Sequence, residues 1–277
     1  MWVADQFYEI LGTRFRVVFE DPTPAEYLGT MLAPFLLSER GARTVNTFCL
    51  AGGLEQDERG LGRDLYWDMR WLAWDETWQP LVNRVLQEIN RRAVGGYQEF
   101  AAHAGVVGMA DKVLALVAES GGGKSTLTAA CLQAGFGYGS DESLCLRYHD
   151  AAVEIYPRPL GLSRWSREVL SIGHGTGFEG EAPVSAADLG AENLPGGRQL
   201  TDVVLLNVVE DSAPVLETLP RSRAIAELLA HSFNHFKNPA GAFDLVNRVA
   251  RNVDVWKLTF SDPAAAAAEL RASVETR

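Results

Sequence analysis

Apolar and polar residues follow two different periods along the first third of the chain. Residues 14–21 alternate around β-branched and aromatic side chains, which predicts a strand, and residues 44–52 are a second strand candidate. Residues 53–64 are polar and glycine-rich and predict a loop or hairpin tip. Residues 74–94 repeat with the helical period and predict an amphipathic helix. The apolar face of that helix would carry Leu81, Val85, Leu86 and Ile89.

Two further helices carry start signals. Residues 23–37 begin with Thr23, a candidate N-cap, followed by proline at the first helical position. Residues 262–277 repeat this arrangement with Asp262 as the cap, and their alanine run favours the helical state.

The middle of the chain predicts a strand, a glycine-rich loop and a helix in direct succession. Residues 99–120 read as two strands joined by a turn at 110–112. The second strand, 113–118, is continuously apolar, as expected of a strand buried on both faces. The helix 125–135 follows the loop and is stopped by Gly135.

The last third alternates strands and helices in the same way. Residues 202–211 predict a buried strand, 220–234 a helix, and 243–260 a helix leading into a final strand. We therefore predict an α/β protein with its main domain at 96–277. A small N-terminal α/β domain at 1–95 precedes it, with a packing or peptide-recognition role.

Composition narrows the class of partner. The 277 residues carry a net charge of −11, which disfavours nucleic acid as the main partner. No apolar run reaches the ~18 residues that span a membrane, and the N-terminus lacks the features of a signal peptide. Three well-separated cysteines indicate free thiols in a reducing cytoplasm. Tryptophans such as Trp165 and Trp71 are more typical of core or domain packing than of base stacking.

The loop itself, AESGGGKST at 118–126, has the composition of a nucleotide phosphate site. Its glycines free backbone N–H groups for phosphate, Lys124 would reach the β- and γ-phosphates of ATP, and Ser125 would hold Mg²⁺. Ala118 replaces the usual first glycine, at a strand end where one methyl group is tolerated. The predicted nucleotide-binding residues are Glu119, Ser120, Gly121, Gly122, Gly123, Lys124, Ser125 and Thr126.

Two acidic residues come after the helix that follows the glycine-rich loop. Asp141 lies 17 residues after Lys124, and Glu142 is next to it. A chain segment of this length returns to the edge of the loop. A carboxylate there can bind Mg²⁺ or accept the proton of an attacking hydroxyl.

Together these elements resemble the bacterial HPr kinase/phosphorylase family. That family has a histidine–glycine strand, a loop ending in Gly-Lys-Ser and an Ala-Asp-Asp turn. His103, Lys124 and Asp141 stand at matching distances without gaps, over residues 99–146. The resemblance implies that residues 96–277 form a phosphate-loop kinase core of the HPr kinase/PEP carboxykinase-like type, with a mixed sheet and flanking helices. It also implies Asp141 as the catalytic base, Glu142 near the metal and His103 beside the phosphates.

The chain also departs from the family pattern. The Glu-x-Arg-Gly-x-Gly signature linked to phosphorylase activity is absent, and YPRPLGLSRWS (156–166) stands in its place. These departures and the length resemble the shorter relatives that phosphorylate a serine of lasso-peptide precursors. Arg158 is a candidate for substrate binding, and Arg198 for stabilising the transferring charge.

The expected function is therefore an ATP- and Mg²⁺-dependent kinase acting on a serine of a peptide or small protein. An HPr-like regulatory kinase remains an alternative, as do a nucleotide switch without acceptor and an inactive leader-peptide binder. Asn207 stands where a Walker B strand would carry its metal-binding aspartate, which disfavours an ATPase motor. A homo-oligomer is left open.

Overall fold

The computed structural model describes residues 2–38, 46–52, 62–173, 178 and 180–277. The chain divides into two compact units, Met1–Tyr97 with Gly175–Pro183 and Gln98–His174 with Val184–Arg277. In the part of the chain described, no helix is both long enough and apolar enough to cross a membrane.

The first unit is built on a five-stranded mixed sheet whose strands lie side by side in chain order. Its strands are β1 (Ala4–Ile10), β2 (Thr13–Phe19), β3 (Asn46–Gly52), β4 (Arg63–Trp67) and β5 (Arg70–Asp75). Its helices are α1 (Pro22–Met31), a 3₁₀ turn (Ala33–Phe35) and α2 (Trp78–Gly96). Strands β2 and β3 are parallel, and the other neighbours are antiparallel.

The strand predictions at 14–21 and 44–52 are confirmed within the described residues, while 53–61 lie outside them. The helix starts need correction. Asp21, not Thr23, caps α1, because its carboxylate accepts the N–H of Thr23 at 2.7 Å. Helix α2 begins at Trp78 rather than at 74, since the chain up to Asp75 completes β5. The four predicted apolar-face residues of α2 are all buried.

The second unit contains the remaining elements, apart from Ala182 and Pro183, which belong to the first unit. Its strands are β6 (Phe100–His103), β7 (Gly105–Met109), β8 (Lys112–Val117), β9 (Gly137–Ser140), β10 (Ser143–Leu146), β11 (Val153–Glu154), β12 (Leu160–Leu162), β13 (Ala182–Val184), β14 (Asp202–Val208), β15 (Val215–Leu219) and β16 (Asp254–Phe260). Its helices are α3 (Lys124–Gln133), α4 (Arg164–Val169), α5 (Ser222–Ala230), α6 (Pro239–Ala250) and α7 (Pro263–Glu275), with 3₁₀ turns at Ala187–Leu189 and His235–Lys237.

A six-stranded mixed sheet forms the centre of this unit, in the order β15-β16-β14-β8-β7-β9. Side chains of β8 alternate between two cores: Leu114 and Leu116 pack with α3 and α7, while Val113, Ala115 and Val117 pack with α5 and α6. The sheet therefore lies between two helical layers. Strands β8 and β14 are parallel, so their carboxyl ends meet at one edge. Ligands of open α/β sheets bind at such edges.

The continuous strand expected before the 110–112 turn is divided in two. β6 pairs with β10 in a separate three-stranded sheet, β11-β10-β6, whereas β7 pairs with β8 and β9 in the main sheet. Ala104 is the residue between the two strands. The turn after β7 is where expected, with Ala110 at φ +52°. Asp262 caps α7 as predicted, accepting the N–H groups of Ala264 and Ala265.

Candidate active site

The glycine-rich loop connects β8 to α3 at the edge of the main sheet. Gly121 and Gly123 have φ values of +77° and +84°, a region that favours glycine. Gly122 is required for another reason, because a Cβ there would lie 2.8 Å from the Cβ of Ala118. The loop is thus tightly folded, and it ends at the first turn of a helix, whose free N–H groups favour an anion.

Lys124 is folded back across this loop. Its ammonium donates to the carbonyl oxygens of Ala118 at 2.7 Å and Glu119 at 3.0 Å, and the side chain is almost fully buried. Burial lowers the pKa of Lys124, whereas the charges of Asp141 and Glu119 oppose that shift. An ammonium at the mouth of such a loop has the charge and the hydrogen-bond donors to bind a phosphate.

Asp141 lies in the turn between β9 and β10, which brings it beside the first turn of α3. Its Oδ2 accepts the N–H of Gly161 at 3.4 Å, and the Ser125 hydroxyl lies close enough to favour the charged form of the carboxylate. The side chain is 5% exposed, and Oδ1 has no hydrogen-bond partner among the described residues. A buried acceptor left open is costly unless a ligand completes it.

The pKa of Asp141 is raised. Burial is the main cause, and it outweighs Arg158, the Ser125 hydroxyl, the Gly161 N–H and Lys124, all of which favour the charged form. A carboxylate with a raised pKa holds a proton more readily than an ordinary aspartate. That property suits a group that must accept one during a reaction.

The donor set fits a magnesium ion bound together with a nucleotide. Within the described ranges, no three or more His, Cys, Asp or Glu side chains are grouped to hold a metal by themselves. Mg²⁺ needs no such cage, because it keeps waters and substrate phosphates and takes only one or two protein oxygens. The Ser125 hydroxyl and the open oxygen of Asp141 supply that number.

Glu142 and Arg158 form an ion pair next to Asp141. Arg158 is mostly buried, and its carbonyl oxygen accepts the hydroxyl of Tyr138 at 2.5 Å. The structure therefore brings the predicted substrate arginine to the carboxylates. The predicted metal role of Glu142 would compete with this ion pair.

His103, at the end of β6, is in electrostatic range of the loop. Burial lowers its pKa to about 4, with further contributions from Lys124, His231 and Arg158, while Glu119 acts in the opposite direction. The imidazole is therefore neutral at physiological pH. Its ring lies 5.6 Å from that of Phe233, centroid to centroid.

The remaining loop side chains differ in surroundings. Glu119 is 93% exposed, with His231 4.0 Å from its carboxylate. Thr126, in contrast, is buried, and its hydroxyl bonds that of Ser166 at 2.8 Å. Ser163, the cap of α4, bonds Ser166 at 2.9 Å. Neither serine was predicted as a site residue, although both belong to the segment that replaces the family signature.

Arg198 is the predicted site residue that the structure does not bring to this group. Its guanidinium donates to the carbonyl of Ala110, in the turn that precedes β8. The loop lies at the opposite end of β8, a six-residue strand that spans about 20 Å. The expected role of Arg198 in stabilising the transferring charge therefore has no support in its position.

The second unit is thus a mixed α/β structure with a glycine-rich loop, a buried lysine and a buried aspartate at one sheet edge. No protein-family model matches the chain, and no curated protein does. Among solved structures, the Hpr(Ser) kinase/phosphatase from Coxiella burnetii matches 63% of this chain and 98% of its own, at 14% identity and a TM-score of 0.32. At that similarity no residue role is transferred from it.

Proposed function

We propose that this protein is an ATP- and Mg²⁺-dependent kinase that transfers the γ-phosphate to a serine hydroxyl of a peptide or small protein. The observation that carries the proposal is the open, buried Oδ1 of Asp141 beside Ser125 and Lys124. A nucleotide loop alone would account for Lys124 and Ser125. A buried carboxylate with a raised pKa at the same point supports transfer to a hydroxyl.

The transfer needs one bond to form and one to break. The serine oxygen bonds to the γ-phosphorus, and the bond from that phosphorus to the β,γ-bridging oxygen breaks, which releases ADP. The serine proton passes to the carboxylate of Asp141. Lys124 neutralises charge on the β- and γ-phosphates, and the loop N–H groups orient the chain of phosphates.

Ser125 and Asp141 would hold Mg²⁺, and the neighbouring Glu142 would join them only when its ion pair with Arg158 opens. When bound, the ion supplies charge neutralisation on the β- and γ-phosphates. Arg158 takes the role first considered for Arg198, because its guanidinium lies beside both carboxylates and can turn to a phosphoryl group. Neutral His103 adds no positive charge near the loop and can accept or donate one hydrogen bond.

For the acceptor, we propose a ribosomally made peptide precursor of the lasso type. The support is the sequence resemblance to the shorter family relatives, together with YPRPLGLSRWS in place of the phosphorylase signature. That segment contributes Arg158, Gly161 and Ser166 around the loop, so the part of the chain that departs from the family pattern is also part of the site.

The test is phosphorylation of defined acceptors. The protein is incubated with Mg²⁺, ATP and either a panel of serine-containing precursor peptides or HPr, and products are identified by mass spectrometry. We expect one phosphoryl group on a peptide serine, and no product with Lys124→Ala. Phosphorylation of HPr alone would redirect the acceptor class. ATP hydrolysis that never yields a phosphorylated acceptor would refute the kinase in favour of a nucleotide switch.

A further inference from the structure

Helix α4 carries two large apolar side chains that the core does not use. Trp165 is 59% exposed and Val169 is 45% exposed, and their spacing of four residues places them on one face of the helix. The neighbouring Ser166 and Arg167 are buried instead. Of the core or domain packing expected for Trp165, packing in the core is therefore not found. Its indole is exposed to solvent.

The position of α4 relative to the loop is fixed by hydroxyl groups. Ser166 bonds Thr126 in the first turn of α3, and Ser163 bonds Ser166. Gly161, just before this helix, donates its N–H to Asp141. Trp165 is next in sequence to the serine that contacts Thr126, so it stands on a helix that packs beside the first turn of α3.

Thr126 also indicates which part of a nucleotide would lie there. In a phosphate loop the lysine reaches the β- and γ-phosphates, while the backbone N–H groups leading into the helix cradle the α- and β-phosphates. Thr126 follows Lys124 and Ser125, so it lies towards the α-phosphate and the nucleoside. Phe233 is another exposed aromatic side chain, but its ring lies beside that of His103. The charge of Lys124 acts on His103, and Lys124 would reach the γ-phosphate, so Phe233 lies towards the other end of the nucleotide.

We propose that Trp165 is the platform on which the base of the bound nucleotide stacks. The proposal rests on the nucleotide site of the proposed function and adds the group that would recognise the base. An indole stacks on any base through its π-face, so this contact adds affinity with little discrimination between purines. ATP and GTP are then expected to bind with similar affinity.

The test distinguishes the contribution of the base to binding affinity from that of the phosphates. Equilibrium binding of Mg·ATP and of Mg·tripolyphosphate is measured by calorimetry for the wild type, Trp165→Ala and Trp165→Phe. Trp71→Ala serves as the control, because Trp71 is also exposed, at 53%, and lies on β5 of the other unit. We expect Trp165→Ala to weaken ATP about tenfold, within the range for loss of one stacked base, and to leave tripolyphosphate unchanged. Trp165→Phe should keep most of the affinity, and Trp71→Ala all of it.

Three outcomes would overturn the proposal. Equal weakening of ATP and tripolyphosphate would show that Trp165 supports the loop rather than the base. Unchanged ATP affinity in Trp165→Ala would show that the base does not stack on Trp165. A rise in KM for the acceptor peptide alone would assign the indole to the acceptor. If the wild type bound neither ATP nor tripolyphosphate, the proposed function itself would fail, which is a separate result.

Discussion

The contact between residues 118 and 122 allows a sharp test of how the loop is built. Ala118 stands where phosphate loops usually have glycine, and Gly122 lies against its methyl group. A Cβ added at Gly122 would lie 2.8 Å from that methyl and 3.0 Å from the carbonyl oxygen of Glu119. Ordinary carbon contacts are ~3.5–4.0 Å, so Gly122→Ala forces the loop to open. Overpacking of this kind costs about 1–3 kcal/mol, or roughly a 5- to 150-fold loss of ATP affinity if the bound loop carries the strain.

Removal of the opposing methyl should restore part of this loss. In the double variant Ala118→Gly/Gly122→Ala the 2.8 Å contact disappears, while the 3.0 Å contact with Glu119 remains. We therefore expect a coupling of about 1 kcal/mol in a double-mutant cycle, measured by titration of a fluorescent ATP analogue.

Gly121→Ala provides the matched control. Among the described residues, its two chain neighbours apart, no atom lies within 4 Å of a Cβ at Gly121, but its φ is +77°, so alanine there is strained by the backbone. Ala118→Gly should rescue Gly122→Ala and leave Gly121→Ala unrescued. Equal rescue of both, or of neither, would refute the packing argument.

Three further predictions follow from single contacts. Arg158→Ala should slow phosphoryl transfer about a hundredfold, as expected for one lost charge-stabilising donor, whereas Arg198→Ala should stay within about twofold in the same assay. His103 has a pKa of about 4 in the folded protein, so stability should fall as the pH drops from the unfolded value of ~6.5 towards 4. After allowance for the partial exposure of His103, the free energy of unfolding should fall by on the order of 1–2 kcal/mol over this pH range. In urea unfolding experiments, the variant His103→Gln should not show this fall. Asp262→Ala should destabilise α7 by about 1 kcal/mol in the same unfolding assay, and an unchanged midpoint would contradict its role as cap.

The elements nearest the loop could be predicted because local signals agree there. The apolar run of β8, the glycines and the stop at Gly135, with φ +94°, all follow from backbone and burial rules that act over a few residues. The return of the chain at Asp141 could be predicted for a similar reason, since one strand–loop–helix unit has a nearly fixed length.

Other features depended on contacts that no local pattern encodes. The division at Ala104 reflects pairing of β6 with β10 in a second sheet, although its sequence reads as one strand with β7. Asp21 and Thr23 are both good caps, and only the backbone geometry decides between them. Arg198 and Arg158 look alike in sequence, and tertiary structure alone takes them to opposite ends of the sheet.

The measurement that tests the central claim most directly is phosphoserine formation by Asp141→Asn at saturating Mg·ATP and acceptor peptide. Asparagine keeps the size of the side chain but cannot take the serine proton. Because Mg·ATP is saturating, a loss of Mg²⁺ affinity does not limit the reaction, and we predict that the transfer rate falls by roughly 10²–10⁴, the range for loss of a general base. A transfer rate close to that of the wild type would contradict the assignment of Asp141 as the catalytic base.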